Sequence, residues 1–373
     1  MAQSLNLIGN TLKKIATVSV PTIIIITVLL EFAFRFVIPA AQVPRYRWIE
    51  DYSIMSHDPL SRREGVYTIG PTASRLGGWR INDAGWNSAI EYQPKEERDR
   101  PLIAIIGDSY VEALSVELEE NIGAAISNMQ SSHDVYSFGI SGAQLSQYYQ
   151  MSRYVLDTFS PDVVVFVMIH NDFIPTNIEL GVTKNYWQVR CDDVGECKDV
   201  EPMPNSSSLL RRLLGTSAFV RYLWFNLGLP YVLHDLKTPK PAPPQTESHT
   251  SGKTSQDTLK QIATETAVVH TIKQIVSTFE DRPVIFLMDA PRRDMYAGSD
   301  RTHGVGWMND LLADICAKHG GTVLDLTAIA EHEYHVNGVR FDTDLDYHWG
   351  AVGHRIGAEV VVQHLRSSGI LSH

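Results

Sequence analysis

The sequence predicts an α/β fold organised around a parallel sheet, on three observations. Short runs dominated by apolar residues occur at 102–106, 134–138, 163–169, 283–288 and 322–326. Runs of that length suit strands buried on both faces, as the strands of parallel sheets are. The first three each lead through a polar turn into a helical stretch, and repeated strand–turn–helix units imply parallel strands joined by right-handed crossovers. The chain has 373 residues, 44% of them hydrophobic, enough for one large α/β domain with insertions. Its net charge of −11 argues against nucleic acid as a partner, because that role demands a basic face.

The N-terminus reads differently from the rest. No charge occurs between Lys14 and Glu31, and the apolar run continues through Phe32, Phe34, Phe36 and Ile38. A membrane-spanning helix needs ~20 mostly apolar residues, and 15–38 supplies them. Glu31 and Arg35 are spaced to pair on one helix face near the interface, and Pro39 and Pro44 end the helix. A cleaved signal peptide is the rival, but Ala40-Ala41 is a weak cleavage site and charges inside the apolar region fit it poorly. Residues 1–44 therefore read as a single uncleaved anchor ahead of a domain over 45–373. Lys13 and Lys14 precede the span while Arg35, Arg45 and Arg47 follow it, so the positive-inside rule leans against an exported domain. Cysteine usage leans the other way. Cys191 and Cys197 bracket a polar turn, and a disulfide clipping that hairpin needs an oxidising compartment. Two free thiols are the plain alternative. Cys316, in a helical stretch, reads as core.

From 45 to 100 the chain is irregular, with a strand and turn around 80–86 and a solvated charge run at 96–100. The strand at 102–106 stops at Gly107-Asp108-Ser109, which sets Ser109 at a strand's carboxyl end, where open α/β sheets put their ligands. A helix over 111–130 is expected to follow. The strand at 134–138 turns at Gly139–Gly142 into a helix over 143–159, and the strand at 163–169 ends in His170-Asn171-Asp172. Residues 173–257 break this rhythm as an insertion. They hold the Cys pair, a helical pattern over 206–225 read as a lid packed on the domain rather than a membrane or partner contact, and a Pro-, Ser- and Thr-rich loop over 237–255. Helices at 258–279 and 305–319 alternate with the last two strands. A polar loop at 341–349 precedes the closing helix at 350–367.

Ser109 alone is ambiguous, because a helix N-cap is the commoner job for Ser at such a place. The balance shifts at Asp346-x-His348, on a loop that can share the same sheet edge. A serine nucleophile needs a base, a carboxylate to orient it, and oxyanion donors. His348 can take the proton of Ser109, and Asp346 can set its tautomer. The N–H groups of Ser109 and Gly142, with the Asn171 amide, can face a developing oxyanion. Asp342, Asp344 and Asp346 suggest calcium, but the Gly and Glu of a helix-loop-helix calcium motif are missing.

Gly107-Asp108-Ser109, Gly142, Asn171-Asp172 and the His348 loop resemble, in order, the four signature blocks of the SGNH hydrolases, or GDSL esterases. The resemblance covers roughly 100–172 and 280–367. It implies a flavodoxin-like three-layer α/β/α sandwich and acyl-ester chemistry, with Ser109 as nucleophile and first oxyanion donor, Gly142 and Asn171 as the other donors, and His348 as base. Ile169 stands where the third block has Gly. Leu345 stands where the fourth has its acid, so Asp346-Tyr347-His348-Trp349 is similar instead to the D-x-H-W variant of alginate O-acetylation proteins, with Asp344 the alternative acid. Transfer to a sugar hydroxyl thus stands beside hydrolysis. The expectation is a membrane-anchored enzyme of a bacterial inner membrane, its domain periplasmic, acting on acyl esters of envelope carbohydrate without metal or organic cofactor. The rival is a non-catalytic binding or assembly subunit of a membrane complex.

Overall fold

The structure is a computed structural model and describes residues 15–181, 185–192, 194–203, 215–229, 255–279, 281–298, 304–343 and 345–371. Two short hairpins come first: β1 (Tyr46–Ile49) pairs with β2 (Ile54–His57), and β3 (Glu64–Ile69) with β4 (Ser74–Arg80). The central strands are β5 (Leu102–Gly107), β6 (Asp134–Gly139) and β7 (Val163–Met168). After the small hairpin β8 (Gln188–Cys191) and β9 (Cys197–Val200) come β10 (Val284–Met288) and β11 (Thr322–Asp325). The central sheet is five-stranded, in the order β11-β10-β7-β5-β6, with every neighbouring pair parallel. Among its own strands that is the flavodoxin-like order, and the direction of winding reverses between β5 and β7, where such sheets open a crevice at their carboxyl ends.

Side chains alternate along each strand, and the two sets build two cores. Ala104, Ile106, Phe138, Phe166 and Phe286 pack with the helices Leu145–Phe159, Ser255–Thr278 and Trp307–His319. Ile103, Ile105, Val165 and Leu287 pack on the other face with Ile122–Met129 and Ala351–Ser367. The result is the expected α/β/α sandwich. Each fully buried Ile, Val, Leu or Phe contributes ~1.5–3 kcal/mol relative to exposure, and the only charges in these runs, Asp134 and Asp325, sit at strand ends.

The expected helix over 111–130 is broken. One turn, Ser109–Glu112, ends where Ala113 adopts the left-handed conformation (φ 53°), and helix resumes only over Ile122–Met129. Close packing fills the gap: a Cβ on Gly77 would lie 2.0 Å from the Val116 carbonyl oxygen. Helix Thr327–Asn337 is additional to the elements foreseen.

The chain divides into two compact units. The larger holds the sheet; the smaller gathers Met1–Val43, Val66–Leu76 and Ser206–Glu247, described over 15–43, 66–76 and 215–229. Within the smaller unit, Thr17–Phe36 is long and apolar enough to cross a membrane, with none of its hydrophobic window buried. The segment expected as a lid is described only from 215; its helical turns Ala218–Arg221 and Tyr222–Asn226 group with the N-terminal helix instead. The reason is a ring stack, with Phe34 3.8 Å from Tyr222 between centroids, and an acceptor, Glu31, for backbone N–H groups. The loop at 237–254 lies outside the described residues. In the larger unit Cys191 faces Cys197 across β8 and β9, and a disulfide joins them. Cys316 is a buried free thiol whose pKa burial pushes up to about 12.

Candidate active site

Three turns of the sheet open on its carboxyl edge: the one after β5 carries Ser109, the one after β6 Gly142, and the one after β7 Asn171. The first is built locally. Asp108 caps the single helical turn by accepting from the Tyr110 N–H at 2.9 Å. Gly107 is required by contact, since a Cβ there would lie 2.5 Å from Val111 Cγ2. Asp108, not Ser109, is therefore the N-cap, and the Ser109 hydroxyl is left to point into the site.

His348 Nε2 lies 2.8 Å from Ser109 Oγ, across 239 positions of sequence, and His348 Nδ1 lies 2.8 Å from Asp346 Oδ1. With Asp346 ionised, Nδ1 carries the proton and Nε2 presents a lone pair to the serine. The Asp108 carboxylate is a second acceptor for Ser109, at 3.2 Å. Burial opposes the charge of Asp346, but its hydrogen bond and attraction to His348 outweigh that and hold the carboxyl below its usual range. Burial likewise opposes protonation of His348, but Asp346, and then Asp108, raise its pKa above the ordinary imidazole value. Burial pushes Asp108 itself upward. The Asn171 side chain, the Tyr110 N–H and the Ser109 hydroxyl oppose that rise.

Gly142 adopts φ +78°, the left-handed region that favours glycine, while the nearest atom to a Cβ there would be Tyr186 Cε2 at 3.6 Å. The backbone, rather than space, calls for glycine. The preceding Ser141 donates its N–H to Glu112 Oε2 at 3.0 Å, and its hydroxyl to the same oxygen. Glu112, three residues after Ser109, thus ties the Gly142 turn to the serine's own helical turn. Its other oxygen lies 2.9 Å from His57 Nε2, with both side chains fully buried.

The loop bearing His348 is held from both sides. The Tyr347 carbonyl accepts from Tyr110 Oη at 2.9 Å and from Arg292 at 3.0 Å; the buried Trp349 donates its indole N–H to Asp289 at 2.9 Å. Arg292 also pairs with Asp289 at 3.0 Å, and burial's opposition to its charge is outweighed by Asp289, so its pKa rises. Asp342 pairs with Arg340 at 2.9 Å and Asp346 with His348, so two of the three acidic residues once suggestive of calcium serve cationic or imidazole partners; Asp344 lies outside the described residues. Sequence reading missed Glu112, Asp289 and Arg292. The D-x-H-W string did single out Trp349, but its partner sits 60 positions away. At Ile169, where glycine was expected, the backbone N–H donates to buried Asp172 at 2.9 Å and the side chain joins the core.

An open cleft of about 1080 Å³ is lined by helices Ser255–Thr278 and Trp307–His319 and by Gly195 and Cys197, and contains none of these residues. Chemistry rather than volume marks the site.

What fold and geometry define is an α/β/α protein with a Ser–His–Asp array at the carboxyl edge of its sheet. No family model matches the chain, and no curated protein does. Solved structures do. A lipase/acylhydrolase from Enterococcus faecalis is 11% identical with a TM-score of 0.38, over 72% of this chain and 96% of its own. A member of the lipolytic protein G-D-S-L family from Veillonella parvula is 11% identical with a TM-score of 0.36, over 70% and 96%. An extracellular lipase from Streptomyces rimosus is 12% identical with a TM-score of 0.37, over 70% and 99%. At that identity and overlap the likeness carries no argument about chemistry.

Proposed function

We propose that this chain is a serine-dependent ester hydrolase or O-acyltransferase of the SGNH type. One observation carries the reading: Ser109 Oγ, His348 and Asp346 form an unbroken hydrogen-bonded relay with both contacts at 2.8 Å. Ser109 Oγ attacks the ester carbonyl carbon as its proton passes to His348 Nε2. The carbonyl electron pair moves onto oxygen, and the N–H groups of Ser109 and Gly142, with the Asn171 amide, stabilise that oxyanion. Protonated His348, stabilised by Asp346, then gives its proton to the leaving alkoxide, and the acyl group stays on Ser109. His348 next deprotonates water, giving hydrolysis, or a sugar hydroxyl, giving transfer; attack on the acyl carbon expels Ser109 Oγ, which recovers the proton. Acyl esters of cell-envelope carbohydrate are the proposed substrates.

The same reading holds that 17–36 anchors the protein in a bacterial inner membrane with the catalytic domain outside the cytoplasm. Its length and hydropathy support the span, and the Cys191–Cys197 disulfide suits an oxidising compartment. A fluorophosphonate probe tests the chemistry. Labelling of Ser109 that is lost in Ser109→Ala, with ester turnover lost alongside, is the expected result. No labelling of the folded protein would leave the non-catalytic binding or assembly subunit as the better description.

A further inference from the structure

In the smaller unit the polarity of one segment is inside out. Residues 217–227 turn their polar groups inward. Asn226, 6% exposed, accepts from the Ala41 N–H at 2.9 Å and donates to Thr68 Oγ1 at 3.1 Å. The Tyr222 hydroxyl donates to the Pro71 carbonyl at 2.6 Å, and Arg221 Nε to the Ala41 carbonyl at 3.0 Å. The large apolar side chains point out: Trp224 is 51% exposed, Phe225 40% and Leu227 41%. In water that arrangement is unfavourable, since each such side chain forgoes part of the gain from burial.

The segment is tied to the apolar helix at a defined level. Glu31 accepts from the Ser217 hydroxyl at 2.8 Å and from the Ala218 and Phe219 N–H groups at 3.0 Å each, and pairs with Arg35. A carboxylate inside a membrane span is expensive unless partnered, and here three donors and a guanidinium supply the partners. Glu31 lies five residues before Phe36, the end of the span, hence ~8 Å inside that end at ~1.5 Å per residue. Interfacial segments bury their apolar faces ~5–10 Å into the boundary between headgroups and acyl chains, and Trp is enriched at that level.

We propose that residues 217–227 are a second membrane contact, an interfacial segment that lays Trp224, Phe225 and Leu227 into the lipid leaflet where the span ends. This rests on the reading of 17–36 as a span. The occupant is lipid, because the segment that bears the patch is tied through Glu31 and the Phe34–Tyr222 ring stack to the exposed apolar helix. The consequence is that the span is fixed in rotation and depth by a lateral foot.

The test uses the full chain in phosphatidylethanolamine–phosphatidylglycerol vesicles, with nitroxide labels on Ile24→Cys, Leu227→Cys and Val336→Cys, each in a Cys316→Ala background. Relaxation by oxygen, which partitions into lipid, is compared with relaxation by a water-soluble nickel chelate. Ile24 reports the span, and Val336, 67% exposed in the larger unit, reports water. The expected result is that position 227 is relaxed by oxygen and largely protected from nickel, at a depth shallower than 24. If 24 is deep but 227 responds to nickel as 336 does, the inference fails while the anchor stands. If 227 is shielded from both agents, protein rather than lipid covers the patch and the inference fails. If 24 itself is open to nickel, the span and the inference fail together.

Discussion

The two loops that meet at Ser109 are built in opposite ways. The backbone of the nucleophile turn is held locally: Asp108 caps Tyr110 two residues on, and the Glu112 N–H donates back to the Asp108 carbonyl at 2.9 Å. The loop carrying His348 is instead held by strangers, with Tyr110 and Arg292 on the Tyr347 carbonyl, at separations of 237 and 55 residues, and Asp289 on the Trp349 indole. Local hydrogen bonds make the serine's position a property of a short string. The histidine's position is a property of the folded domain. Damage to distant partners should therefore reach the base far more readily than the nucleophile.

The largest effect expected from breaking this arrangement is at Asp346. Asp346→Asn removes the acceptor that holds the Nδ1 proton and should lower turnover by ~10⁴. The pH profile sharpens the point. The base works only as neutral imidazole, and its pKa is raised chiefly through Asp346, so activity in the native protein is lost on acidification beginning above the ordinary histidine pKa. In Asp346→Asn the acid limb of kcat/KM should move to lower pH. If Asp344→Asn does the greater harm, the orienting carboxylate is Asp344.

A smaller effect is expected from Arg292→Lys. An ammonium cannot span Asp289, Tyr110 and the Tyr347 carbonyl as the planar guanidinium does. The displaced base should cost about 10²-fold in kcat, while amide exchange at Glu112, whose N–H donates to the Asp108 carbonyl within the nucleophile turn, stays unchanged. Equal loosening of both loops would erase the contrast between them. The smallest effect is expected at Gly142→Ala. The left-handed backbone costs a non-glycine residue about 1–2 kcal/mol, and the Tyr186 ring at 3.6 Å needs no displacement. Thermal unfolding should register that loss; a much larger loss would mean the methyl meets something beyond Tyr186.

A good part of the fold is legible in the sequence. The five central strands lie where the apolar runs are, because burial on both faces of the inner strands admits almost no polar residue, and the parallel order follows from repeated strand–turn–helix units. The strand ends also nominate Ser109, Gly142 and Asn171 as candidates, since a turn at the carboxyl edge must face the crevice. The interrupted helix after Ser109 is less legible. Nothing local to Ala113 announces a left-handed residue, and the packing of Gly77 on the Val116 backbone comes from a segment far upstream.

What the sequence determined by itself is what short-range physics controls: the apolar helix at the N-terminus, the apolar strand runs, and the paired cysteines six positions apart. Each rests on groups within a few residues of one another. Only the tertiary structure decided that His348 stands 2.8 Å from Ser109, that Arg292 and Asp289 hold its loop, and that Glu31 captures the turn at Ser217. Those contacts join positions 55 to 239 residues apart. No periodicity or spacing encodes them, because they exist only once folding has brought distant segments together.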